Sequence, residues 1–412
     1  MTTVQLNTLQ VLALSGFGVA IGHYLKKLIP VLDRLNVPHS VVGGLMYSLI
    51  ILALRDRVVN FEMDLSLRST LMVAFFTTVG MGASLRLLKV GGKAMLFFFG
   101  ISTLGILVQN GFGIALCQMM GLNPLVGIIT GSVALTGGPA TALAFGRTFE
   151  EWGVENATVL GVASAMAGIV AGGLIGGYVG GKLIENRKLR VPKKAGDSAS
   201  ESFTEDDVSK LIPGAADGKP LNDSIMVSAI AIAVAMGIGT LISLAITKGS
   251  AALGYPLILP EYIGAMLAAA LIRNIDDATN FLRLSQERVD ELGNVALNVF
   301  IVMALLTLEL WKLFELALPI LIIIAVQLVL VFLMAKFLIF PAMGKDYEAA
   351  VSSGGFCGFM LGTTANALAS MEVLTTKYGS APRALIIVSI TGAFLIDFTN
   401  AAFVTAMANW LR

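Results

Sequence analysis

Two short segments rich in glycine and threonine interrupt long apolar stretches, and they are the first places where this sequence could do chemistry. They are Thr136-Gly137-Gly138-Pro139 and Gly362-Thr363-Thr364. Proline is tolerated in the first turn of a helix and threonine hydroxyls cap helix N-termini, so a helix is predicted to begin at each segment. The unpaired backbone N–H groups and positive dipole end of such a helix suit a carboxylate. The alternative is that these glycines only allow close packing between helices.

Residues at and just after the two segments form the candidate substrate site. Thr141 and Asn366 occupy matching positions in Ala-Thr-Ala-Leu-Ala and Ala-Asn-Ala-Leu-Ala, directly after each interruption. Two helix N-termini that meet could hold both carboxylates of a substrate without any arginine. The candidate residues for substrate binding are Thr136, Gly137, Gly138, Thr141, Gly362, Thr363, Thr364, Asn366, Asp397 and Asn400.

Asp397 lies in the middle of the last apolar stretch of the sequence. A carboxylate inside a membrane is costly and usually has a function, so Asp397 is predicted to bind either a sodium ion or a substrate ammonium group. The alternative is a structural acid that is protonated or paired with Lys336.

A sodium ion prefers hard oxygen ligands, and carbonyl groups freed at a helix break can supply them. Hydroxyl and amide side chains near the first interruption could add further oxygens. Buried amides such as Gln109 and Asn110 are also common as hydrogen-bonding links between membrane helices. The candidate sodium ligands are Asp397, Ser132, Gln109, Asn110 and Thr363.

Several classes of function are not supported by the residues present. The chain has no phosphate-binding loop motif, and no histidine in its second half could serve Ser352 or Ser353 as a catalytic base. Its two cysteines exclude a disulfide framework or a cysteine-based zinc site. A net charge of +1 gives no basic surface for nucleic acid. We therefore predict neither an enzyme nor a protein with a cofactor.

The composition places these residues in a membrane protein. Of 412 residues, 56% are hydrophobic and only 13% are charged, whereas soluble domains carry about 25% charged residues. About 20 apolar residues in a helix span a bilayer. Ten stretches approach this length: 8–29, 37–54, 68–88, 93–120, 156–183, 223–246, 257–272, 292–309, 316–340 and 384–408.

The two halves of the chain repeat each other in order and spacing. Residues 140–144 match 365–369, and Val37-Pro38 matches Leu259-Pro260. Five spans is an odd number, so the second repeat must enter the membrane from the opposite side. The predicted fold is all-α, with ten transmembrane helices in two inverted five-helix repeats. The predicted regions are repeat 1–189 with a re-entrant hairpin at 123–150, linker 190–221, and repeat 222–412 with a hairpin at 347–376.

Lysine and arginine set the predicted orientation. Lys26 and Lys27 follow the first stretch, and a basic cluster from Arg187 to Lys194 follows the fifth. Because basic loops stay in the cytoplasm, the linker is predicted to be cytoplasmic and both termini external.

The chain resembles the bacterial sodium–glutamate symporters. This resemblance covers nearly the whole sequence except the linker. The segments that carry it are Asp64-Leu65-Ser66-Leu67-Arg68, Gln109-Asn110, Leu122-Asn123-Pro124-Leu125-Val126-Gly127, Thr136-Gly137-Gly138, Asn156-Ala157-Thr158, Leu292-Gly293-Asn294-Val295, Met343-Gly344-Lys345, Cys357-Gly358-Phe359 and Ile396-Asp397.

The resemblance implies a symporter in the bacterial inner membrane that imports L-glutamate with Na⁺ as the coupling ion. The external side, on which the basic residues place both termini, is then the periplasm. The family is in turn similar to the citrate–sodium symporters, which implies a homodimer and an elevator mechanism. In that mechanism the first, second, sixth and seventh helices would form the fixed scaffold. Pro139 and Asn366 differ from residues common at these places in the family. A dicarboxylate or citrate symporter of the same architecture therefore stays open as the alternative.

Overall fold

The computed structural model describes residues 2–55, 57–86, 92–191, 224–254, 257–308 and 317–412, and this part of the chain is mostly helical. In the first half the helices are α1 (Thr8–Leu28), α2 (Pro30–Arg34), α3 (His39–Leu54), α4 (Ser66–Gly82), α5 (Gly92–Met119), α6 (Pro124–Ile128), α7 (Gly138–Glu151) and α8 (Ala157–Arg187). In the second half they are α9 (Ile225–Ala252), α10 (Glu261–Thr279), α11 (Gln286–Leu305), α12 (Ala317–Met334), α13 (Phe340–Ala342), α14 (Tyr347–Met360), α15 (Thr364–Tyr378), α16 (Pro382–Ile390) and α17 (Ile396–Leu411).

Each of the ten predicted stretches contains a helix, but some bounds differ. The helix in the stretch predicted at 292–309 begins earlier, at Gln286. The prediction missed its first turns because they are polar and carry no apolar signal. Among the described residues, five helices are long and apolar enough to cross a bilayer: Thr8–Leu28, Gly92–Met119, Ala157–Arg187, Ile225–Ala252 and Leu318–Ala342. The ten crossings therefore stay a prediction.

In the described part of the chain, three π-helical turns occur, in which each backbone N–H bonds to the carbonyl five residues earlier instead of four. These turns are Ile129–Val133, Ala335–Ile339 and Thr391–Leu395. The first contains Gly131, whose non-helical backbone (φ −90°, ψ −126°) kinks the chain. Such turns free carbonyl groups and concentrate at functional sites.

Both predicted interruptions separate two short helices. The first falls at Thr136-Gly137, between the helical leg that starts at Pro124 and helix α7. The second falls at Leu361–Thr363, between α14 and α15. We call these two breaks the first tip and the second tip, and each tip with its two legs a hairpin.

A short parallel pair of strands departs from the predicted all-α fold. Strand β1 (Thr2–Leu6) pairs with β2 (Val59–Met63), in a register that joins Thr2 to Val59 and Leu6 to Met63. Five-residue strands next to long helices give too weak a pattern to be predicted. Asp64 closes this pair by accepting hydrogen bonds from the Thr8 hydroxyl and the Ser66 N–H. The hydrogen bond from Thr8, followed by that from Ser66, lowers the pKa of Asp64.

Equivalent helices of the two halves meet through equivalent glycines. In α1 and α3, a Cβ added at Gly43 would strike the carbonyl of Gly18. In α9 and α10, a Cβ added at Gly264 would strike the carbonyl of Gly239. Only glycine permits backbones to approach this closely, so the same packing occurs at matched positions of both halves.

Helix α8 lies against both hairpins through a glycine-rich face. A Cβ at Gly168 would come within 2.6 Å of the Leu135 side chain, and one at Gly172 within 3.1 Å of Leu361 Cβ. Close packing is therefore the role of these glycines, and α8 fixes the position of one hairpin relative to the other.

Candidate functional site

A cavity of about 330 Å³ lies where the two tips meet helices α4 and α11 and the helix pair α16–α17. Such a volume lies within the range of small-molecule sites. Of the candidate substrate residues, the cavity is lined by Thr136, Gly137, Gly362, Thr363, Thr364 and Asp397.

The two tips lie against each other across this cavity. Gly138 has a positive φ of +69°, and a Cβ built on it would lie 3.3 Å from Thr363 Cγ2 and 3.6 Å from the Gly362 carbonyl oxygen. A side chain at position 138 would therefore be strained and would also press on the second tip.

Helices α7 and α15 begin at the tips, and no side chain caps either N-terminus. The predicted cap by the Thr363 hydroxyl is wrong, because that hydroxyl donates instead to Asn366 Oδ1 at 3.0 Å. The first backbone N–H groups of both helices are thus not capped by side chains, as an anion site requires.

Three candidate substrate residues lie behind the cavity wall. Asn366 is fully buried and donates to the Ile169 carbonyl oxygen at 2.7 Å, so it ties the second tip to α8. Thr141 packs beneath the first tip, since a Cβ at Gly137 would lie 2.6 Å from Thr141 Cβ. Asn400 donates to the Ser132 carbonyl oxygen at 3.0 Å and accepts from Ser132 Oγ at 2.7 Å.

Gln109 connects the two hairpins. Its Oε1 accepts from Thr136 Oγ1 at 2.7 Å, and its Nε2 donates to the Met360 carbonyl oxygen at 2.8 Å. Gln327 in turn donates to the Gln109 carbonyl oxygen at 2.7 Å. Asn110 accepts from the Ser132 N–H at 3.0 Å. The side chains of Gln109 and Asn110 thus hold the hairpins, which is the linking role that the sequence left open for them.

Asp397 faces the cavity from the start of α17. The ion pair with Lys336 is not observed, because the Lys336 ammonium lies over the rings of Phe332 and Phe337, at 5.8 and 5.2 Å. The five candidate sodium ligands therefore fall into two places: Thr363 and Asp397 line the cavity, and the other three belong to the buried amide network.

Sequence reasoning missed a second carboxylate in the cavity, that of Asp290. Asp290 Oδ1 accepts from Gln286 Nε2 at 2.7 Å, and Gln286 Oε1 accepts from Arg273 at 3.1 Å. The four-residue spacing of Gln286, Asp290, Asn294 and Asn298, all of which line the cavity, could have shown one polar face of a helix.

The cavity wall is acidic. Its two ionisable side chains are Asp290 and Asp397, and among the described residues that line it there is no lysine, arginine or histidine. Elsewhere in the described ranges no group of three or more His, Cys, Asp or Glu side chains is placed to hold a metal ion. The available donors are hydroxyl, carbonyl and carboxylate oxygens, which suit a hard cation.

The model of the family "Sodium/glutamate symporter" matches residues 4–380. The sodium/glutamate symporter of Haemophilus influenzae is 35% identical over 401 residues, which cover 96% of each chain. The sodium/glutamate symporter of Escherichia coli is 35% identical over 402 residues, again 96% of each chain. Among solved structures, the sodium proton antiporter MjNhaP1 from Methanocaldococcus jannaschii is similar over 98% of both chains, at 14% identity and a TM-score of 0.41.

Proposed function

The chain belongs to the sodium/glutamate symporter family, and we propose that the cavity between its two tips holds glutamate and sodium during transport. It is a multi-pass membrane transporter and imports glutamate with sodium. The dicarboxylate or citrate alternative is not favoured, because the matching relatives are named for glutamate.

The observation that carries the proposal is the charge of the cavity wall. Glutamate brings one net negative charge into a space with the carboxylate of Asp397 and, among the described lining residues, no basic side chain. Two like charges 4 Å apart repel by about 4 kcal/mol at an effective dielectric constant of 20. Sodium ions would remove this repulsion, so a requirement for sodium follows from the residues themselves.

The two carboxylates of glutamate are assigned to the two helix N-termini. The uncapped N–H groups after Gly137 and Thr363 face the cavity from opposite hairpins. A helix N-terminus stabilises an anion by about 0.3–1 kcal/mol at an exposed site and by up to ~2 kcal/mol where partly buried. The hydroxyl of Thr136 lies beside the first of these groups and defines the substrate subsite with them.

Sodium is assigned to the side of the cavity that carries Asp397. A carboxylate in a membrane needs a partner, and no lysine or arginine among the described lining residues supplies one. The amide network of Gln109, Asn110 and Ser132 is assigned to bracing the tips, since its side chains already bond to the hairpins.

The inverted repeat and the ten crossings are part of the proposal. They are supported by the matched glycine contacts of α1 with α3 and of α9 with α10. The first leg of each hairpin is also capped by an equivalent side chain: Asn123 accepts from the Leu125 N–H, and Asp346 from the Ala349 N–H. The hairpins would then enter from opposite faces of the membrane.

The proposed orientation places both termini in the periplasm and the linker in the cytoplasm. Because β1 and β2 pair, both strands must lie on the same face of the membrane. This supports an even number of membrane crossings between the two strands. The pair formed by Glu185 and Lys377, 3.2 Å apart, supports placing the end of α8 and the end of the second hairpin on the same face.

An elevator mechanism in a homodimer completes the proposal. Helices α4 and α11 pack with α1, α3, α9 and α10, whereas α5, α8, α12, α16 and α17 pack with the hairpins. The cavity lies at the boundary of these two groups. Movement of the hairpin group past the other would carry the site across the bilayer, and α4 and α11 would join the scaffold.

Uptake by purified protein in vesicles tests the function. Labelled L-glutamate should accumulate only with an inward sodium gradient, and unlabelled glutamate should compete far better than citrate. Equal competition by citrate would favour the alternative. Accumulation without sodium would contradict the charge argument.

A further inference from the structure

Two buried hydroxyls on the cavity wall, those of Ser40 and Ser389, have no hydrogen-bond partner among the described residues. Ser389, in the last turn of α16, is 2% exposed and lines the cavity, yet its Oγ makes no hydrogen bond to any described residue. An unsatisfied buried polar group costs about 1–3 kcal/mol. Such a group in a functional cavity indicates a ligand.

The backbone beside Ser389 departs from the α-helix. The π-helical turn Thr391–Leu395 lies between Ser389 and Asp397, and its residue Gly392 also lines the cavity. Turns of this kind leave carbonyl oxygens without their usual helical donors. Gly392 thus places the backbone of this turn on the cavity wall that Ser389 and Asp397 also line.

A second hydroxyl reaches the same place from the second tip. A Cβ built on Gly392 would lie 3.0 Å from Thr364 Oγ1, so this oxygen lies directly over the turn. Glycine at 392 is what leaves room for it. Hydroxyl and carboxylate side chains of α15, α16 and α17 therefore line the cavity together with the backbone of this turn.

We propose that Ser389, Thr364 and Asp397, with the backbone of the turn at Gly392, form a sodium site. The inference rests on the proposed function, because it takes sodium to bind in this cavity, and it names the ligands. Carboxylate, hydroxyl and carbonyl oxygens are the donors that a hard cation takes. One carboxylate balances the charge of one sodium ion. The ion also binds the Ser389 hydroxyl oxygen, which otherwise has no hydrogen-bond partner among the described residues.

The test is the sodium dependence of glutamate uptake in vesicles that contain Ser389→Ala. Loss of one oxygen ligand to a cation should raise the sodium concentration for half-maximal uptake about 10-fold or more. Glutamate affinity measured at saturating sodium should stay at the parent value. Thr364→Val should shift the sodium curve in the same direction, and Thr364→Ser, which keeps the oxygen, should shift it far less.

Ser352→Ala is the matched control. Ser352 is equally buried and its Oγ also has no partner, but it lies in α14 away from the cavity lining. Its sodium curve should be that of the parent. If Ser389→Ala does not reach the membrane, Ser389→Cys replaces the oxygen with a soft sulfur of similar shape and should show the same shift.

Two results would overturn the assignment. An unchanged sodium curve in Ser389→Ala would show that the hydroxyl binds no ion. A fall in glutamate affinity that saturating sodium does not restore would assign the oxygens to the substrate ammonium. Asp397→Asn separates failure of this sodium site from failure of the proposed function. A shifted sodium curve in Asp397→Asn, with an unchanged curve in Ser389→Ala, would reject the ligand Ser389 and keep the cavity as the transport site.

Discussion

At the scale of single residues, Gly138 shows how the two tips depend on each other. Its φ of +69° requires glycine, and its Cα faces Thr363 of the other tip. Gly138→Ala should reduce both transport and glutamate affinity, because the left-handed conformation costs about 1–2 kcal/mol and the methyl group presses on the second tip. Uptake kinetics and thermal unfolding in detergent measure the two effects.

Gly121→Ala is the control for backbone strain. Gly121 has the same φ of +69°, but nothing lies within 4 Å of a Cβ built there. It should lose similar stability and keep its glutamate affinity. Equal losses of affinity in both variants would show that contact between the tips is irrelevant to binding.

Asn366 is predicted to act on substrate through the second tip. Asn366→Ala removes the acceptor of the Thr363 hydroxyl and the bond to Ile169. We expect a glutamate KM raised about 5- to 30-fold, the equivalent of one or two neutral hydrogen bonds at ~1 kcal/mol each. Thr376→Ala, at an exposed position of the same helix, should behave as the parent. A parent-like KM in Asn366→Ala would remove this residue from the site.

At the scale of elements, the helices and tips were predictable because long apolar runs and a Gly-Gly-Pro break give strong local signals. The π-helical turn before Asp397 was not predictable, because Thr391–Leu395 contains ordinary helix-compatible residues. Asp290 was missed because the polar start of α11 hid its membership of that helix. Thr141 and Asn366 were placed at the right tips, but only tertiary packing shows that they lie one layer behind the cavity.

The arrangement of the elements in the membrane has its own test. Ser200 falls in the linker, outside the described residues, and the basic cluster before it predicts a cytoplasmic position. A single cysteine at Ser200, in a chain without Cys117 and Cys357, should resist an impermeant thiol reagent in intact cells and react after lysis. Labelling in intact cells would reverse the orientation of both hairpins.

At the scale of the whole molecule, coupling follows from shared charge. The cavity holds two aspartates and receives an anionic substrate, so each ion bound should favour the other ligand. Linkage requires that sodium raise glutamate affinity by the same factor by which glutamate raises sodium affinity. The amide network around Gln109 joins both hairpins into one unit, so the tips and the ion site can move together.

The central claim is that Asp397 binds the sodium ion that brings glutamate into this cavity. The most direct measurement is glutamate binding to Asp397→Asn as a function of sodium concentration, with the surface variant Asp33→Asn as control. We expect weak binding at sodium concentrations that saturate the parent and recovery at much higher sodium concentrations. Binding that stays weak at every sodium concentration, or a curve identical to that of the parent, would contradict it.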